Sequence, residues 1–190
     1  MRALACLAEA RDTDTGNHIL RTQTYIATLG RHLRQHERFR EALSGNLIDH
    51  IVKAAPLHDL GKVGIPDAIL LKPGRLTPEE MEVMKTHPAI GAAAIEKAMR
   101  ESLAAADEAM AAQASGAFAF LEAARDIALT HHEKWDGSGY PHGLQGDAIP
   151  VSGRLMALAD VFDALICRRV YKEAMPIEQA TEIRCTSVRY

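Results

Sequence analysis

His58-Asp59, followed by Leu60-Gly61-Lys62, sets an imidazole beside a carboxylate near the C-terminal end of an apolar helical run. Successive helical positions point about 100° apart, so these two side chains cannot grip one ion from the same side. They can serve a pair of ions if the carboxylate bridges and the imidazole caps one of them. Lys62 returns to the same face three and four residues on. Further histidines stand on other helical stretches: His18, His87 and the doublet His131-His132. Asp160 interrupts the apolar run Leu158-Ala159-Asp160-Val161-Phe162, where a buried carboxylate needs a cation or several donors. Nitrogen and oxygen donors without thiolates suit iron or manganese in roughly octahedral sites better than tetrahedral structural zinc. The set is long for one ion. It fits two cations roughly 3.5–4 Å apart, the arrangement that activates water in phosphoester hydrolysis.

Each residue also has a structural reading. His-Asp pairs occur at surfaces and helix ends. His18, before Ile19-Leu20-Arg21, also fits a hydrogen-bonded core histidine, and His87 before Pro88 also fits a partner of a helix C-terminus. Asp163 reads as a supporting or a surface acid. Tyr140 alone reads as a loop anchor. Arg168, Arg169 and Lys172 form a cationic patch that is either a solvated face or, close behind the Asp160 helix, a phosphate contact. Asp14 shares a face with His18 only if the helix begins before Gly16.

The positioning elements are helical. Ile19, Tyr25, Ile26, Leu29 and Leu33 recur at helical spacing to about Leu33, after a short helix over Ala3 to Arg11. A second long helix runs from Asn46 to His58. Gly61 to Gly74 is a structured loop with one helical turn. Thr77-Pro78-Glu79-Glu80 starts a helix ending near His87, and Pro88 opens another through about Met99. Residues 100–117 read as an alanine-rich helix turning at Ser115-Gly116. Phe118 to His132 is helical, with Phe120, Leu121, Ala124, Ile127 and Ala128 inward. Glu133 to Pro150 is a glycine-rich loop. Val151 to Ile166 is a helix with Leu155, Leu158, Ala159 and Phe162 inward, and Pro176 to Arg184 a last one. Without alternating runs the fold is an all-α single bundle.

The 190 residues suffice for one domain with a sizeable core, and 47% hydrophobic residues exclude a disordered chain. A net charge of −3 argues against a nucleic acid polymer as partner. No apolar run is long enough for a membrane, and Cys6, Cys167 and Cys185 form no paired motif, so the expected setting is a reducing cytoplasm.

His58-Asp59 with Gly61-Lys62, and then the run His131-His132-Glu133-Lys134-Trp135-Asp136-Gly137-Ser138-Gly139-Tyr140-Pro141, resembles the HD-GYP subgroup of the HD phosphohydrolase superfamily. Thr15-Gly16-Asn17-His18, His87-Pro88 with Gly91, Ala159 to Leu165, and Arg169-Val170-Tyr171-Lys172 extend the match from about Leu4 to Glu182. The resemblance implies an HD-type bundle over residues 1–190, extended by a Gly-Tyr-Pro loop. It implies hydrolysis of cyclic di-GMP to the linear dinucleotide pGpG, to GMP, or to both, by metal-activated hydroxide. The alternatives are preference for mixed cyclic GMP-AMP, or a non-catalytic module that binds cyclic dinucleotides or docks a diguanylate cyclase. It implies His18, His58, Asp59, His87, His131, His132 and Asp160 as ligands of two divalent cations, Asp59 bridging. Lys62 would assist at the scissile phosphate, and Gly139, Tyr140, Pro141, Arg169 and Lys172 would contact the nucleotide. Asp14 replaces the glutamate of three-metal members; one methylene shorter, it is expected to ligate weakly. Residues 100–117 look like an insertion and the final helix incomplete, as in a module joined to an N-terminal sensor or receiver domain. A homodimer is compatible with this reading.

Overall fold

The computed structural model describes residues 17–105, 115–167 and 174–181. Helix α1, His18–Leu33, buries Ile19, Thr22, Ile26 and Gly30 on one face. Gly30 is placed so that a Cβ would lie 3.2 Å from the Ile48 side chain, which brings α1 close to its neighbour. A short α2, Glu37–Arg40, precedes α3, Leu47–Ala54.

The expected helix from Asn46 to His58 stops earlier. Pro56 has no N–H for the ladder, and the chain tightens into a 3-10 turn, Ala55–Leu57, closed by the His58 amide on the Ala55 carbonyl at 3.2 Å. A second 3-10 segment, Leu60–Gly64, follows at once. His58 and Asp59 therefore occupy the turn between two 3-10 segments, freed from the fixed 100° of a regular helix. The loop beyond carries α4, Asp67–Leu70.

Helix α5, Pro78–Met84, begins as the sequence dictates: Thr77 and Glu80 form a reciprocal capping box with Pro78 in the first turn. It ends at Met84, short of His87. Helix α6, His87–Ala105, starts at His87 itself, because Pro88 is tolerated in a first turn where its missing N–H has no intrahelical partner. It runs past Met99. Ser115 and Gly116, expected as a turn, are the first residues of α7, Ser115–Thr130. Helix α8 spans Val151–Ile166 as expected, but Met156 and Asp163 are buried beside Leu155 and Ala159, while Leu158 and Phe162 are half-buried. Residues 177–181 are helical. The expected helix over Ala3 to Arg11 lies outside the described residues.

Among the described residues the only strand-like feature is an isolated bridge between Asp136 and Gln145, so the fold is all-α. Helices α1, α3, α6, α7 and α8 pack around Ile26, Ile51, Ala54, Ile127, Ala128 and Met156. Fully burying each large aliphatic stabilises the fold by roughly 1.5–3 kcal/mol. No helix among the described residues is long and apolar enough to cross a membrane.

Candidate metal centre

The core brings distant residues to one place: the first residue of α1, the turn after α3, the first residue of α6, the turn after α7 and the middle of α8. Donor atoms of Asp59, His87, His131 and His132 lie within 4.8 Å of one another, and so do those of His18, His58 and Asp160. Asp59 joins the two groups. Its Oδ2 is 3.1 Å from His58 Nε2, while its Oδ1 is 3.3 Å from His87 Nε2 and 3.6 Å from His131 Nε2. His18 Nε2 is 3.7 Å from Asp160 Oδ1.

The outer nitrogens show how these rings are oriented. Nδ1 of His58, His87 and His131 lies 2.9, 2.8 and 3.0 Å from the carbonyls of Ala55, Met84 and Ile127. A carbonyl only accepts, so each Nδ1 carries the proton and donates it. Each Nε2 faces inward. These three Nε2 atoms and Asp59 Oδ1 are buried and form no hydrogen bond. Lone pairs turned toward a carboxylate are unfavourable unless a proton or a cation lies between them. A divalent cation at Asp59 Oδ1, His87 and His131 and another at His58 would satisfy these atoms, so the residues present fit the metal that the donor chemistry implies.

Without a cation the cluster distributes charge unevenly. Burial pushes His58 down, but Asp59 outweighs it and raises the imidazole to about 9. Burial pushes Asp59 up, yet His58 and Lys62 hold it well below the ordinary range. Burial lowers His131, and lowers His132 to about 2. Lys62 Nζ is 2.8 Å from Asp59 Oδ2, three residues on as its spacing predicted.

Two glycines set the distance between the halves. A Cβ on Gly61 would overlap the carbonyl oxygen of His87 and come within 2.6 Å of Gly91 N. The turn bearing Asp59 therefore rests directly on the backbone of α6.

The loop after the histidine doublet is tied from within. Glu133 is buried, and its two oxygens accept from the amides of His142 at 2.8 Å and Leu144 at 2.9 Å. Gly137 takes φ +79°, and Asp136 accepts from the Ser138 amide and hydroxyl. The space at Gly139 is filled by the chain itself: a Cβ there would meet the backbone of His132, Glu133 and Lys134. Its missing side chain serves close packing of the loop. Tyr140 stacks on His132, ring centroids 4.7 Å apart and 22° between planes, and the Tyr140-Pro141 peptide is cis. Lys85 Nζ lies 5.9 Å from the Tyr140 centroid. Burial raises the Tyr140 phenol to about 12, which keeps it neutral.

Some residues singled out in the sequence lie outside the described residues: Asp14, Arg168, Arg169, Lys172, Cys6 and Cys185. Cys167 is half-buried, its Sγ 3.5 Å from Asp163 Oδ1. Sequence reasoning assigned no role to Glu133, although a carboxylate between a histidine doublet and a glycine-rich loop was a signal for one. It also passed over Arg21, one helical turn from His18. A cavity of about 650 Å³ is lined by Gln23, His50, Lys53, Pro56, Leu57 and Phe120 among others, and by none of these ligands.

The HD domain family model matches residues 21–185. A probable cyclic di-GMP phosphodiesterase of Vibrio cholerae serotype O1 is 57% identical over 95% of this chain and 38% of its own length. A cyclic di-GMP phosphodiesterase of Thermotoga maritima is 41% identical over 95% of this chain and 42% of its own. A 3'3'-cGAMP-specific phosphodiesterase 2 of Vibrio cholerae serotype O1 is 42% identical over 94% of this chain and 29% of its own. The chain thus spans well under half the length of these curated relatives. With His58-Asp59 at the junction of two donor groups and a family match over most of its length, the chain belongs to the HD domain family, in its HD-GYP subgroup.

Proposed function

We propose that this chain is a phosphodiesterase module that uses two cations to hydrolyse cyclic di-GMP. The observation that carries the proposal is the converging set of unpartnered donors, with Asp59 offering one oxygen to each group. Asp59, His87, His131 and His132 would hold one cation and His18, His58 and Asp160 the other, with Asp59 shared and Asp14 a weak further ligand. Iron or manganese suits these donors and supplies Lewis acidity toward the phosphate and activation of water near neutral pH.

The chain's own residues do the rest. Lys62, beside the shared carboxylate, donates to the leaving ribose 3′-oxygen as the P–O bond breaks. Tyr140 offers a neutral ring face to a guanine, its other face being covered by His132. Gly139 and Pro141 hold that ring in place. Arg169 and Lys172 contact the phosphates. Addition of water across one phosphodiester gives pGpG; a second cleavage gives GMP. The module works within a longer cytoplasmic protein, joined to a sensor or receiver domain, with a diguanylate cyclase or a second copy as its protein partner.

The names of the Vibrio cholerae and Thermotoga maritima relatives support cyclic di-GMP, and the cGAMP-specific relative makes mixed cyclic GMP-AMP the second reading. The test is elemental analysis of anaerobically purified protein together with chromatography of products from both dinucleotides. Two cations per chain and faster loss of cyclic di-GMP are expected, both abolished in Asp59→Ala with the helical content retained. Loaded protein that turns over neither dinucleotide overturns the enzyme reading.

A further inference from the structure

Three histidines of the centre anchor their outer nitrogen on a backbone carbonyl. His18 differs: its Nδ1 lies 2.8 Å from Oδ2 of Asp163, a carboxylate with 1% exposure. Asp163 also accepts from Arg21, at 2.6 Å from Nε and 2.8 Å from Nη2. Cys167 Sγ, 3.5 Å away, is a weaker donor to the same carboxylate. His18 and Arg21 stand one turn apart on α1, Asp160 and Asp163 one turn apart on α8. The contact that pins the two helices together therefore also sets the ring that His18 contributes to the group it forms with His58 and Asp160.

We propose that Asp163, clamped by Arg21, is a positioning residue that keeps the His18 proton on Nδ1 and thereby sets the cation affinity of the His18–His58–Asp160 group independently of the Asp59–His87–His131–His132 group. The inference rests on the two-cation reading above. Arg21 has only donors, so whatever stands at position 163 must present acceptors to it. An asparagine has the right shape but a single acceptor oxygen. The Arg21 Nε contact, at 2.6 Å the shorter of the two, takes that oxygen at the Oδ1 position, and the amide NH2 comes to the Oδ2 position, which faces His18 Nδ1 as well as Arg21 Nη2. Nδ1 must then accept, the imidazole proton moves to Nε2, and it occupies the position a cation needs. The neighbouring group is untouched, because His87 and His131 are oriented by backbone carbonyls and His132 by its stack on Tyr140.

The test is equilibrium dialysis of metal-free full chain against Mn2+ with elemental counting, alongside circular dichroism and thermal melts. Wild type should bind two cations. Asp163→Asn should bind one with wild-type affinity and the other roughly 10–100-fold more weakly. The double variant Asp163→Asn/Arg21→Gln should recover most of that loss, since the amide can again turn its oxygen to Nδ1; a residue that merely supported packing would not be rescued by a second cut. Arg21→Gln alone, with Asp163 intact, should keep both cations. Two unchanged affinities in Asp163→Asn, equal weakening of both, or no rescue overturns the inference while leaving the two-cation reading standing. Wild type binding a single cation overturns that reading and this inference with it.

Discussion

Gly61 and Gly91 face each other across the contact that sets the spacing of the metal centre, and they should respond unequally to the same added methyl group. On Gly61 the methyl overlaps the His87 carbonyl oxygen and lies 2.6 Å from Gly91 N and 2.8 Å from His87 C, all backbone atoms. None can rotate away, so the turn and the start of α6 must part by about 1 Å to restore ordinary contact. On Gly91 the nearest atoms are Gly61 N at 3.1 Å and the Ala128 Cβ at 3.5 Å, which need only a few tenths of an ångström. Overpacking of the first kind costs about 1–3 kcal/mol, which for a chain of this size is a fall in Tm of roughly 2–12 °C. The functional effect should be larger. The moving elements carry Asp59 and His87, now 3.3 Å apart, and ligand distances tolerate only about 0.2 Å. Gly61→Ala should therefore lose cation from the group containing His87, while Gly91→Ala stays near wild type in Tm and metal content. Thermal melts and elemental analysis of the two variants decide it. Equal effects, or a larger one at Gly91, would refute the claim that this backbone contact spaces the site.

Asp59→Asn keeps the shape but halves the acceptor capacity of the shared carboxylate. Both cations should weaken by more than the roughly 10–100-fold expected for an outer partner, which dialysis with elemental counting measures. Glu133→Gln leaves either the His142 or the Leu144 amide without its acceptor, at about 1–3 kcal/mol. Faster hydrogen exchange at those amides, with KM rising more than kcat falls, is the expected result; unchanged exchange would count against the anchoring role. In the metal-free protein His58 is raised to about 9 from an ordinary 6.5, so its contribution to stability is complete below about pH 6.5 and fades as pH rises through 9. Cation binding at pH 7–8 should release about one proton, seen by calorimetry in buffers of different ionisation enthalpy; no release would remove His58 as the proton carrier. Burial is opposed at Asp163 by Arg21 and then His18, which hold its carboxyl below the ordinary range. Its contribution is present above about pH 4 and lost as acid reaches the folded value, so Asp163→Asn should flatten the acid limb of the stability profile.

Local chemistry made much of the fold legible. Helical spacing marked α1 and α8, whose residues span His18–Leu33 and Val151–Ile166, and the Thr77-Pro78-Glu79-Glu80 signal fixed the start of α5. These are short-range effects: a cap, a fixed proline φ, an apolar stripe. The less legible boundaries were those where a proline has two local solutions. Pro56 tightened a helix into a 3-10 turn and Pro88 was absorbed into the first turn of α6, so His58-Asp59 lie in a turn beyond the helix and His87 opens α6 instead of closing α5.

The residue types of the centre were in the sequence because only imidazoles and carboxylates, unopposed by thiolates, could explain so many polar groups on apolar helices. Which of them face each other was decided by tertiary packing. Asp59 divides its two oxygens between two groups only because α6 and α7 press against the turn that carries it. Asp163, open in the sequence between a surface acid and a supporting one, is buried because α8 crosses α1 at His18 and Arg21. Spacing along the chain records which donors share a helix. The distance across the core, set by side-chain volume and by Gly61 against Gly91, decides which donors share an ion.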